Sequence, residues 1–171
     1  KLTIDRFTIQ SGIARDGGGL FAFAFNGGVI ELTLKGNVFR NNKSTDSGAG
    51  IGVYTQDAGS IVQATLTNNM IYGNDSGGDG GGVYAFAHNS GRSSMTLINN
   101  TVSDNRAAGL GGGLRAYASN RGVTGIAVKN TIIWGNIAGG GQDIAIGQLS
   151  GGTATVDSSY NNVGDVTLDA N

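Results

Sequence analysis

Side chains able to do acid–base or nucleophilic chemistry are scarce in this chain: one glutamate, Glu31, one histidine, His88, and no cysteine. Hydrolysis or elimination on a polysaccharide needs clustered carboxylates, or a basic residue assisted by calcium. Four aspartates, Asp16, Asp46, Asp75 and Asp79, precede glycine-rich stretches. Carboxylates aligned at a repeated corner could hold Ca²⁺, which takes six to eight oxygen ligands. Leu110 interrupts that column and the spacing matches no calcium-loop signature, so solvated corner residues are expected, with Ca²⁺ the one cofactor left open. His88 has no evident partner and reads as a surface side chain, and no serine has a G-x-S-x-G context. The expectation is a protein without catalytic residues of its own; a polysaccharide lyase or hydrolase is the alternative.

The residues better suited to function are aromatic. Leu20, Ala22 and Ala24 alternate with Phe21, Phe23 and Phe25. Further along, Ile51, Val53 and Thr55 alternate with Gly52, Tyr54 and Gln56, and Val83, Ala85 and Ala87 with Tyr84, Phe86 and His88. Leu114, Ala116 and Ala118 alternate in the same way with Arg115, Tyr117 and Ser119. Successive strand side chains point to opposite faces. If the aliphatic set points inward, Phe23, Tyr54, Phe86 and Tyr117 form an external column flanked by Phe21 and Tyr84. The inverse arrangement would leave Ile51, Val83 and Leu114 in water. A contiguous exposed apolar patch marks a contact surface, and Tyr and Phe rings anchor protein partners or stack on sugars. The competing reading is a face covered by another part of the same protein, or rings that only stabilise the sheet.

What positions these residues is a repeat. Asn42, Asn74, Asn105 and Asn136 are separated by steps of 32, 31 and 31 residues. Nine residues beyond the first three lie Ile51, Val83 and Leu114, each preceded by Gly-Ala-Gly or Gly-Gly-Gly. An earlier copy places Gly12 at the asparagine position, and a later one has Gly139-Gly140-Gly141. Within a copy the pattern is Leu32, Leu34, Asn37, Phe39, Asn42, then Ala64, Leu66, Asn69, Ile71, Asn74, then Met95, Leu97, Asn100, Val102, Asn105. Ile126, Val128, Thr131, Ile133 and Asn136 follow. Period-two alternation over four to six residues argues strands, and no stretch keeps a 3.6-residue period.

Several short strands per 31 residues imply one coil of a parallel β-helix per copy, about five coils in all. Stacked equivalents would lie roughly 4.8 Å apart. Asparagines at a corner can tolerate the left-handed backbone region and bridge to the coils above and below through their amides. Glycines at the other corner let the chain turn without a Cβ clash. After Ile144-Ala145-Ile146 the asparagine phase is lost, as terminal repeats allow. Asp5, Lys35, Thr67, Ile98 and Lys129 fall at equivalent outward places and form no carboxylate cluster. Two of the three glycosylation sequons, at Asn42, Asn74 and Asn99, are corner asparagines, so all three read as a by-product of the repeat.

Composition agrees with a single domain over residues 1–171. Thirty-two glycines without a Gly-X-Y period exclude collagen, and 39% apolar content with only 13% charge is unlike a disordered chain. A net charge of −1 gives no electrostatic case for nucleic acid, and no apolar run is long enough to span a membrane. Absence of proline suits a backbone engaged in ladders. The chain starts inside a strand-like run, Leu2-Thr3-Ile4, and reads as part of something longer.

Phe39-x-x-Asn42 followed by Gly48-Ala49-Gly50-Ile51 resembles the paired FxxN and GGA(I/L/V) repeats of polymorphic outer-membrane proteins. Ile71, Val102 and Ile133 replace the Phe in later copies. Asn130-Thr-Ile-Ile-Trp-Gly-Asn136, Gln142-Asp-Ile144 and Val156-Asp-Ser-Ser159 are similar to the closing coils of bacterial choice-of-anchor surface proteins. The resemblance implies a right-handed parallel β-helix, the hand that parallel crossovers prefer, on a secreted or surface-attached bacterial protein, often an adhesin. The expected function is a non-enzymatic extracellular or cell-surface scaffold. Its binding residues would be Phe21, Phe23, Tyr54, Tyr84, Phe86 and Tyr117, and its partner a protein, a further copy or a glycan. A carbohydrate-binding or polysaccharide-cleaving β-helix and an end-to-end fibre subunit are the alternatives; open strand edges at the end coils favour the fibre.

Overall fold

The computed structural model describes residues 1–170, and these form strands and turns without a helix. Coil 1 comprises β1 (Leu2–Asp5), β2 (Thr8–Gln10), β3 (Ile13–Ala14) and β4 (Leu20–Ala24). Coil 2 comprises β5 (Val29–Lys35), β6 (Val38–Arg40), β7 (Lys43–Ser44) and β8 (Ile51–Gln56). Coil 3 has β9 (Ile61–Thr67), β10 (Met70–Tyr72), β11 (Asp75–Ser76) and β12 (Val83–His88). Coil 4 has β13 (Arg92–Ile98), β14 (Thr101–Ser103), β15 (Arg106–Ala107) and β16 (Leu114–Ser119). Coil 5 has β17 (Val123–Lys129), β18 (Ile132–Trp134) and β19 (Ile144–Leu149). A shortened last coil follows, with β20 (Thr153–Ser159), β21 (Asn162–Val163) and β22 (Val166–Ala170).

Equivalent strands pair in parallel into four sheets, giving a β-solenoid of about five turns. The fourth sheet, ordered β22-β19-β16-β12-β8-β4, carries the aromatic residues. The register follows the repeat: Leu32 pairs with Ala64, Ala64 with Met95, and Met95 with Ile126. Ile51 pairs with Val83 and Val83 with Leu114. All of these side chains are buried, so the aliphatic set does point inward.

Two ladders of side-chain amides run up the stack. In one, Asn42, Asn74, Asn105 and Asn136 are all buried. Asn74 Oδ1 accepts from both the backbone N–H and the Nδ2 of Asn42, each at 3.0 Å. Asn74 Nδ2 donates to Phe39 O at 3.1 Å and to Asn105 Oδ1 at 2.8 Å. Every hydrogen-bonding position of the amide is thus used, as a buried amide requires. The second ladder, Asn37, Asn69, Asn100 and Thr131, repeats the arrangement, with Thr131 Oγ1 accepting from Asn100 N at 3.2 Å. Phe7 and Gly12 begin the ladders by donating backbone N–H groups to Asn37 and Asn42.

The ladder asparagines do not themselves use the left-handed backbone region that asparagine tolerates. Positive φ belongs to the residue before each one: Gly36, Asn68, Asn99 and Asn130 in one ladder, and Asn41, Gly73, Asp104 and Gly135 in the other. The turn and the amide bridge are separate tasks on adjacent residues.

The amide phase also persists further than expected. Asn161 accepts from Thr131 N at 2.8 Å and donates to Val128 O at 2.8 Å. Asp143 ends the other ladder: its Oδ1 accepts from Asn136 N at 3.0 Å and from Asn136 Nδ2 at 2.7 Å. Its Oδ2 accepts from Asp165 N at 3.1 Å. Gly164 leaves room for this carboxylate, which a Cβ there would overlap.

Candidate contact face on the fourth sheet

The fourth sheet brings together the residues singled out by alternation. Phe23 pairs with Tyr54, Tyr54 with Phe86, and Phe86 with Tyr117, so the four outward positions do form one column. The rings, however, are staggered. Tyr54 contacts Phe21 rather than Phe23, at a centroid distance of 4.9 Å and an interplanar angle of 78°. Gly52 opens this space, since a Cβ there would meet Phe21 Cδ2 at 3.1 Å. Tyr54 is also edge-to-face with Tyr84 at 5.3 Å and with Phe86 at 5.6 Å. Phe86 stacks on Tyr117 at 5.4 Å, and Phe23 on Phe25 at 5.3 Å. Such pairings follow the ring quadrupole and hold the rings as one unit.

Exposure divides the set. Phe21, Phe23 and Phe25 are exposed, and Tyr54, Phe86 and Tyr117 are half-buried. Tyr84 is a correction: its side chain lies on the outer face, yet only 6% of the residue is accessible. It sits beneath Tyr54 and beside Phe86, at the glycine corner, and supports the face without being presented on it.

The corner aspartates divide: Asp16 and Asp79 are engaged by hydrogen bonds, while Asp46 and Asp75 remain solvated. Tyr54 Oη donates to Asp16 Oδ1 at 3.1 Å, and Asp79 Oδ1 accepts from Leu110 N at 2.8 Å. Asp46 and Asp75 form the exposed ion pairs Asp46–Arg15 and Asp75–Arg106, each at 3.4 Å. Among the described residues no group of three or more acidic, His or Cys side chains could hold a metal ion. His88 has a partner that alternation did not suggest, Nδ1 lying 2.7 Å from Ser119 Oγ on the next coil.

Burial pushes both Tyr54 and Tyr84 well above the ordinary phenol value of 10.0. For Tyr54 the neighbouring Tyr84 and Asp16 add to burial; for Tyr84, Asp79 adds to it and Arg115 opposes. A phenol whose pKa is raised in the folded state binds its proton more tightly there than when unfolded. Its stabilisation is complete below the unfolded value and declines as pH rises past it. Two tyrosines are therefore expected to resist ionisation in an ultraviolet titration until the protein unfolds at alkaline pH. Five tyrosines ionising together near 10 in the folded protein would contradict this.

Sequence reasoning missed Arg115. Alternation assigns it to the outer face, where it does lie, yet only 2% of it is accessible. Its guanidinium lies 5.0 Å from the Tyr117 ring centroid and close over Gly147, where a Cβ would meet Nη2 at 2.6 Å. Nη2 donates to Asp169 Oδ2 at 3.0 Å, and Nε stands 3.5 Å from Asp79 Oδ2. An Arg followed by an outward Tyr was the available signal, but its acidic partner comes from a strand 54 residues away.

Comparison of the chain with protein families, curated proteins and solved structures finds none that matches. The identity that stands is that of the fold, a parallel β-solenoid of about five turns.

Proposed function

We propose that this chain is a non-enzymatic solenoid segment whose fourth sheet is a contact face for a protein partner. The observation that carries the reading is the row of rings Phe21, Phe23, Phe25, Tyr54, Phe86 and Tyr117, continuous across four coils and partly in water. Large aromatic side chains supply much of the energy of protein interfaces, because each removes a large apolar area from water. A protein partner is favoured over a sugar. The ring of Tyr54 packs edge-to-face against three neighbours, and its hydroxyl is spent on Asp16, which leaves little for a pyranose to stack on or hydrogen-bond to there. The resemblance to bacterial surface repeats supports an extracellular or cell-surface setting.

The test is binding by Phe86→Ala and Phe23→Ala variants against a panel of surface proteins and a glycan array. A partner held by this face should lose at least about tenfold in affinity in each variant. Retention of wild-type affinity by both variants, for every ligand found, would remove the reading. Binding to a glycan that both variants lose would instead move it to the carbohydrate alternative.

A further inference from the structure

The contact face on the fourth sheet has a fixed period. Phe23, Tyr54, Phe86 and Tyr117 recur once per coil on paired strands. Their rings therefore form ridges at the strand spacing of roughly 4.8 Å, with furrows between them. Two sheets packed face to face lie about 10 Å apart and interdigitate their side chains, and identical faces mesh into a dry contact. A surface that meshes with this column needs ridges at the same spacing. A second copy of the chain has them by construction.

Charge and polarity point the same way. From β4 to β19 the one outward side chain with a fixed charge is Arg115, and only 2% of it is accessible. Two copies of this face therefore meet without like-charge repulsion, which is otherwise a strong barrier to self-contact. Free hydrogen-bonding groups are few. Tyr54 Oη donates to Asp16, His88 Nδ1 lies 2.7 Å from Ser119 Oγ, and Arg115 Nη2 donates to Asp169. A typical interface carries about ten direct hydrogen bonds, whereas contacts between identical chains are the more apolar class.

Area sets the strength of such a contact. The strands β4, β8, β12, β16 and β19 have five or six residues each, which makes a face of roughly 20 Å by 20 Å. Two such corrugated faces bury on the order of 1,000 Å² together, the low end for a specific contact. We infer that the fourth sheet packs on the fourth sheet of a second copy, as a weak, reversible, twofold dimer. A twofold contact uses the same patch on both chains, so it closes at two copies. The inference rests on the contact-face reading and names the partner for it.

Sedimentation equilibrium of the full chain, from about 1 µM to about 1 mM, tests it. The mass is expected to rise with concentration from that of one chain toward that of two, and to stop there. Phe23→Ala and Phe86→Ala should each weaken the dimer at least about tenfold, since a twofold contact carries every change twice. The Phe23 ring is exposed and stacks on Phe21 and Phe25, themselves exposed, so Phe23→Ala keeps its fold even if Phe86→Ala does not. Trp134→Ala removes a ring 57% exposed on the second sheet and should change nothing.

A mass of one chain throughout overturns the inference. So does a dimer that both ring variants leave unchanged, or one that Trp134→Ala weakens equally. Mass growing beyond two copies, with Phe23→Ala without effect, overturns it as well and assigns the association to the coil ends. Failure here and failure of the contact face are read separately. A strictly monomeric chain that loses a panel partner on Phe86→Ala refutes the second copy and keeps the contact face. A dimer and panel ligands that all ignore the ring variants refute both.

Discussion

Asn74→Ala is expected to cost the folded state about 3 kcal/mol or more, read as a shift of the urea midpoint with an unchanged slope. The variant removes the acceptor of two Asn42 donors and the donor to Phe39 O and Asn105 Oδ1. Asn42 N and Phe39 O then lie in a buried stack without the partner they had, and each such orphan costs about 1–3 kcal/mol. The cavity left by the amide adds to that. Water cannot readily restore the bonds, because Asn42, Asn74 and Asn105 are all buried. Asn99, the exposed left-handed residue beside Asn100, makes the contrast. Its replacement by Ala should cost only about 1 kcal/mol, the strain of a Cβ at positive φ. Equal effects at the two sites would show that the ladder is not what holds the coils in register.

Gly82→Ala should be comparably damaging, at about 3 kcal/mol, for the opposite reason. A Cβ at Gly82 would stand 2.5 Å from Gly113 O and 2.9 Å from both Asn105 Nδ2 and Val102 Cγ1. Backbone, ladder and core would all have to move, and neighbouring coils separated by one strand spacing of roughly 4.8 Å cannot part locally without losing their hydrogen bonds. Thermal melting checks this, with Gly125→Ala as control: a Cβ there meets only Thr155 Oγ1, at 3.7 Å. A Gly82→Ala protein melting with the control would mean that the glycine column is permissive and not required. The same column explains Asp143. It occupies the glycine position in coil 5, pairing its carboxylate with Asn136, and it fits because the last coil passes from β21 to β22 through only Gly164 and Asp165.

The sequence by itself determined the coil. A 31-residue spacing of asparagines and alternating aliphatic residues leaves one arrangement in which Ile51, Val83 and Leu114 are all dry, and the observed register is that one. It also placed Phe23, Tyr54, Phe86 and Tyr117 in one outward column, because facing alternates strictly along a strand. Tertiary structure alone decided how exposed each outward residue is. Alternation assigns a face, whereas accessibility depends on what adjacent coils lay over that face. Gly52 lets the Phe21 ring lean in against Tyr54, which covers Tyr84. Gly147 lets the Arg115 guanidinium lie flat, and Asp169, two strands further along the sheet, closes over it. The local pattern at Tyr84 and Arg115 is that of exposed residues. Their burial comes from neighbours tens of residues away, which no local pattern can show.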